Sequence, residues 1–125
     1  MQSPFKEVYG IARIVRAIRC AIQGFKDAYT HEQAFHQETW LAIVAIPTAL
    51  LLPVEFLAQA VMIASVLLVM IVELVNSAIE AAVDRISLER HPLAKQAKDI
   101  GSAAVLLTIL NMTVIWALIL IGEFA

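Results

Sequence analysis

An almost unbroken apolar run from Phe56 to Val83 closes on the stretch ELVNSAIEAAVD, which sets Glu73, Asn76, Glu80 and Asp84 at its tail. As a helix this run would measure about 40 Å at 1.5 Å per residue, more than the roughly 30 Å hydrocarbon core of a bilayer. Part of it must project from a membrane. Ionisable groups in such a segment are costly unless they have a partner or a task. At 100° per residue, Asn76, Glu80 and Asp84 fall within about 60° of Glu73, so all four line one stripe.

The rest of the chain agrees with a membrane setting. Its 125 residues are 61% hydrophobic with a mean hydropathy of +0.81, whereas soluble domains are roughly half apolar. The single cysteine, Cys20, excludes an internal disulfide and a multi-thiolate metal site within one chain. The first thirty residues are interrupted by charge and lack the continuous apolar stretch of a signal peptide. They are expected to remain in the mature protein.

Val8, Ile11, Val15, Ile18, Ile22, Phe25 and Tyr29 recur at spacings of three and four, with Lys6, Arg13, Arg16, Arg19 and Lys26 on the other faces. This predicts an amphipathic surface helix over about 4–36, whose cationic face suits anionic head groups, a polyphosphate or simple solvation. The polar block THEQAFHQET is expected to link it to a first span at about 38–54. That span is short and contains Pro47, so crossing needs flanking residues or local thinning of the bilayer. Further spans are expected at about 56–83 and 100–121. The fold class is therefore all-α: one membrane domain over 1–125, a surface helix and three transmembrane helices.

Every Lys and Arg lies either before residue 27 or between residues 85 and 98. The positive-inside rule then puts the N-terminus and the 84–100 loop in the cytoplasm and the C-terminus outside. On this topology Glu73 sits at the cytoplasmic interface, with Asn76 to Asp84 beyond it. Three readings of the stripe stay open on pattern alone. One is a cation and nucleotide site, since Mg²⁺ takes one or two carboxylates plus substrate phosphates; another is a proton or ion relay; the third is structural, with pairing to Arg85 or Arg90. No glycine-rich phosphate loop occurs among the four glycines, so a nucleotide would have to be held by side chains and helix termini. His31, His36 and His91 lack the spacing of helical metal ligands, and Asn111 suits an interhelical hydrogen bond.

Three segments, EQAFHQE at 32–38, VELVNSAIEAAVDRIS at 72–87 and HPLAKQAKDIGSAAVL at 91–106, resemble the bacterial diacylglycerol kinase family of small integral membrane enzymes. The related undecaprenol kinases share the E-x-x-N-x-x-x-E pattern seen at Glu73, Asn76 and Glu80, while the AF-x-QE segment is closer to the diacylglycerol branch. The resemblance implies ATP- and Mg²⁺-dependent phosphorylation of a lipid hydroxyl to give phosphatidic acid, by a homotrimer of the bacterial inner membrane. It implies Glu73 as general base, and Glu32 with Glu80 as ligands of the Mg²⁺ that accompanies ATP. Nucleotide contacts would come from Arg13, Cys20, Glu32, Asn76, Glu80, Glu89, Arg90, His91, Lys98 and Asp99. The lipid side would be lined by Arg13, Phe35, Gln37, Glu38, Glu73, Ser102 and Trp116. Cys20, Gln23 and His36 depart from the tyrosine, lysine and arginine common at those positions. A proton-coupled transporter using Glu73 as relay is the competing class, but the outer halves of the spans carry few polar residues with which to line a path.

Overall fold

Backbone polar groups in hydrocarbon must be satisfied within their own segment, which favours helices for a chain this apolar. The computed structural model describes residues 10–86 and 91–125. Within them the chain forms α1 (Gly10–His31), α2 (Gln33–Leu51), α3 (Phe56–Ile86) and α4 (Pro92–Phe124), with no strand among the described residues. The part of the expected surface helix before Gly10 lies outside the described residues.

The block expected to be a linker is helical on both sides of a single break. Glu32 adopts an extended conformation, φ −110° and ψ 106°, so the surface helix ends at His31 and α2 starts at Gln33, ahead of its apolar stretch. Backbone bonding continues across the bend, from Glu32 N–H to Ala28 and from His36 N–H to Glu32. No loop is therefore needed. Side chains brace the corner: the Tyr29 and His36 rings lie 4.3 Å apart, and the Trp40 indole N–H donates to the Tyr29 hydroxyl at 3.2 Å.

The turn at Leu52–Glu55, which holds Pro53, leaves the last carbonyls of α2 without intrahelical donors. Gln59 supplies one for Leu50, its amide donating to the carbonyls of Leu50 and of the cap residue Leu52 at 3.2 Å each, the latter also accepting from Val54 N–H at 2.9 Å. At the far loop, Pro92 opens α4 and the His91 ring accepts from Leu93 N–H at 3.1 Å.

α3 is the central helix, packed against α4 on one side and α2 on the other, while α1 packs on α2. Met62, Val66 and Val69 of α3 are buried with Ala42 and Ala49 of α2. Trp116 of α4 donates its indole N–H to the Met62 carbonyl and to Ser65 Oγ, both at 3.2 Å. α3 and α4 are long and apolar enough to cross a membrane, and only 33% and 6% of their apolar windows are buried. Core helices of a soluble protein would bury most of that surface. Two helices, not three, meet this measure, because the first turns of α2 carry His36, Gln37 and Glu38.

Candidate active site

One end of the bundle gathers the polar stripe of α3. Glu73 and Asn76 are buried, Glu80 is half-buried and Asp84 is exposed, so the stripe leaves the packed bundle in steps of one turn. The negative charges of Glu80 and Glu32 act on Glu73, and that of Glu73 acts on Glu38. Four carboxylates from α2, α3 and the break between α1 and α2 thus share one region. Asn76 donates to Glu80 Oε1 at 3.2 Å. Its own Oδ1 is buried with no hydrogen-bond partner among the described residues, as is Glu38 Oε2.

α4 brings cations to the same end. Lys98 Nζ pairs with Asp84 at 2.6 Å. This hydrogen bond, aided by the charges of Asp84 and Glu80, holds the Lys98 ammonium above its ordinary pKa of 10.5. Asp99 is bonded to Lys95 at 2.6 Å, one turn earlier on the same helix. A mixed cluster of this kind presents carboxylates for a metal ion and an ammonium for a phosphate.

The sequence-predicted residues divide accordingly. Glu32, Glu38, Glu73, Asn76, Glu80, Lys98 and, by way of the α4 N-terminus, His91 and Asp99 converge on this end of the molecule. Arg13 and Cys20 lie on the exposed surface of α1 and Gln37 on that of α2, while Ser102 is exposed on α4. Phe35 is buried beside an apolar groove of about 370 Å³ that also includes Phe25, Tyr29, Thr39 and Met70. Thr39 and Met70 line a second groove of about 500 Å³ reaching Pro47, so the two join along the face shared by α2 and α3. Trp116 stands apart from the carboxylates, roughly 12 Å along α3 from Glu73 by the rise to Ser65. Glu89 and Arg90 lie outside the described residues.

Among the described residues no three His, Cys, Asp or Glu side chains converge as a closed metal cage. Mg²⁺ keeps an incomplete protein shell, so one or two of these carboxylates would suffice to hold it. The like charges of Glu80 and Glu32 around Glu73 would favour a cation there.

Residues 19–120 match the prokaryotic diacylglycerol kinase family. This chain belongs to that family. It is 53% identical over 120 residues to a diacylglycerol kinase of Pseudomonas aeruginosa, covering 96% of this chain and 98% of that one. The likeness to a diacylglycerol kinase of Escherichia coli is 44% over 115 residues, 92% and 94% of the two chains. For one from Helicobacter pylori it is 41% over 115 residues, 92% and 90%.

Within this family member, two features escaped the sequence reading. Gly101 is buried against Asn76, a proximity that depends on how α3 and α4 cross. Gln59 caps α2 through contacts seven and nine residues back; a lone amide just after a proline turn was the only signal for it.

Proposed function

We propose that this protein transfers the γ-phosphoryl group of ATP to the hydroxyl of diacylglycerol, forming phosphatidic acid at the cytoplasmic face of a bacterial inner membrane. The carrying observation is the buried Glu73 on one stripe with Asn76, Glu80 and Asp84, the last paired with Lys98 of α4, in a chain of this family. Glu73 takes the proton of the lipid hydroxyl as its oxygen bonds to the γ-phosphorus. The bond from that phosphorus to the β–γ bridging oxygen breaks, and ADP leaves with the electron pair. Lys98, once released from Asp84, neutralises charge spreading over the phosphate oxygens. Glu32 and Glu80 would hold Mg²⁺, which when bound supplies further charge neutralisation on the triphosphate. The joined apolar grooves along α2 and α3 offer an acyl chain a path that starts beside Phe35.

In this reading α2 serves as a third, short span. The protein acts as a homotrimer whose neighbouring chains complete each site, since one chain leaves these grooves open. The N-terminus and the 84–100 loop face the cytoplasm. The test is purified protein in micelles with Mg²⁺, labelled ATP and either diacylglycerol or undecaprenol. Label in phosphatidic acid supports the proposal; label only in the polyprenol, or in neither lipid, overturns it. Impermeant labelling of Phe124→Cys in a Cys20→Ala background, in intact cells, tests the orientation, which fails if labelling requires lysis.

A further inference from the structure

Three glycines lie inside helices, and they differ sharply in their surroundings. A methyl group added at Gly24 or Gly122 would meet nothing within 4 Å. At Gly101 it would strike Asn76: the added carbon falls far inside van der Waals distance of Oδ1 and 3.1 Å from Cγ, but 3.9 Å from the Asn76 Cβ, an ordinary contact. Asn76 is also buried, and its amide donates to Glu80 Oε1 at 3.2 Å. The amide thus has one free oxygen pressed into the space left by a missing side chain on α4, while its nitrogen holds a carboxylate on its own helix.

We infer that Gly101 is a positioning residue for the nucleotide site: its bare Cα makes the notch that seats the Asn76 amide, and the seated amide aims Glu80. A helix-interior glycine sacrifices stability relative to alanine, and the notch is what that sacrifice provides. The inference rests on the proposal that Glu80 serves Mg²⁺-ATP. It assigns no chemistry to Gly101 itself. With a methyl group in the notch, the amide must swing out, and Glu80 loses the donor that orients it. Loss of such a supporting contact around a metal-holding carboxylate typically costs roughly 10- to 100-fold in affinity.

The Asn76 Cβ distance supplies the decisive control. In an Asn76→Ala background nothing remains to collide, so Gly101→Ala should there be silent toward nucleotide. Four proteins are compared: the parent, Gly101→Ala, Asn76→Ala, and the double variant, with Gly122→Ala as a helix-propensity control on the same helix. Each is measured by equilibrium titration of Mg²⁺-ATP, thermal unfolding in micelles, and initial rates. Gly101→Ala should weaken Mg²⁺-ATP binding at least tenfold and raise KM for Mg²⁺-ATP more than it lowers kcat. In the Asn76→Ala background it should change binding less than twofold and raise Tm; Gly122→Ala should leave binding and KM unchanged.

An equal loss from Gly101→Ala in both backgrounds, or none in the parent, overturns the inference. If Gly101→Ala does not fold, recovery of folding in the double variant upholds the clash and failure of both refutes it. A parent that binds Mg²⁺-ATP but phosphorylates no diacylglycerol would sink the proposed function while leaving this binding comparison intact.

Discussion

Trp116→Phe isolates the hydrogen bond that ties α4 to α3. The indole N–H meets two acceptors at 3.2 Å, the Met62 carbonyl and Ser65 Oγ, but it is a single donor and counts as one shared bond. Neither acceptor is orphaned by its removal, because Ser65 Oγ itself donates to the Met62 carbonyl at 2.6 Å. The full penalty of a buried unsatisfied group therefore does not apply. Lipid tails are as apolar as the ring, so trimming its half-exposed edge adds little. Interhelical hydrogen bonds in membrane proteins contribute about 0.6 kcal/mol on average and about 1.7 at most. The expected loss is thus about 1 kcal/mol, roughly a fivefold shift toward the unfolded form. Equilibrium unfolding in mixed micelles, followed by far-UV circular dichroism without any substrate, measures it. Ser65→Ala should cost less, because the indole keeps the Met62 carbonyl. No destabilisation by Trp116→Phe would show that the bond contributes nothing. A loss beyond about 3 kcal/mol would show that ring packing, not hydrogen bonding, joins the helices.

Further outcomes concern the site and the turn. Glu73→Gln should cut turnover roughly 10²- to 10⁴-fold while keeping Mg²⁺-ATP binding, since it removes a base and no phosphate contact; Glu80→Gln should instead weaken nucleotide binding, and equal loss of binding in both would refute the separation of roles. Gln59→Leu takes a donor from the Leu50 carbonyl, while that of Leu52 keeps Val54 N–H, and should destabilise by about 1 kcal/mol in the same unfolding assay, with an unchanged midpoint refuting the cap. Lys98, held above the ordinary lysine range chiefly by its hydrogen bond to Asp84, keeps its charge wherever pH lies below that range. Bound phosphates that draw Lys98 off Asp84 keep an anion beside it, so its contribution to ATP affinity should be flat between about pH 6 and 9 and be lost only as pH rises through the lysine range. A parent-minus-Lys98→Met difference that titrates below pH 9 would refute this.

Sequence periodicity and composition alone determined the class of molecule: helices, a membrane setting, and the shared stripe from Glu73 to Asp84. These are local properties, set by 3.6-residue geometry and by the cost of placing unpaired polar groups in hydrocarbon. The motif resemblance likewise reached the family before any coordinates were needed. Position 32 was different. A run of polar residues reads as a linker, yet backbone bonds that bridge a single extended residue keep Thr30 and Gln33 helical, and the Tyr29, His36 and Trp40 side chains that brace the bend meet only once it forms. The same holds for Asp84 with Lys98, for Trp116 with Ser65, and for Gly101 with Asn76, pairs separated by fourteen, fifty-one and twenty-five residues. Each partner is an ordinary side chain on its own helix. The crossing of α3 and α4 alone decides that they touch, because that crossing is set by packing summed along both helices and not by any local signal near the residues that meet.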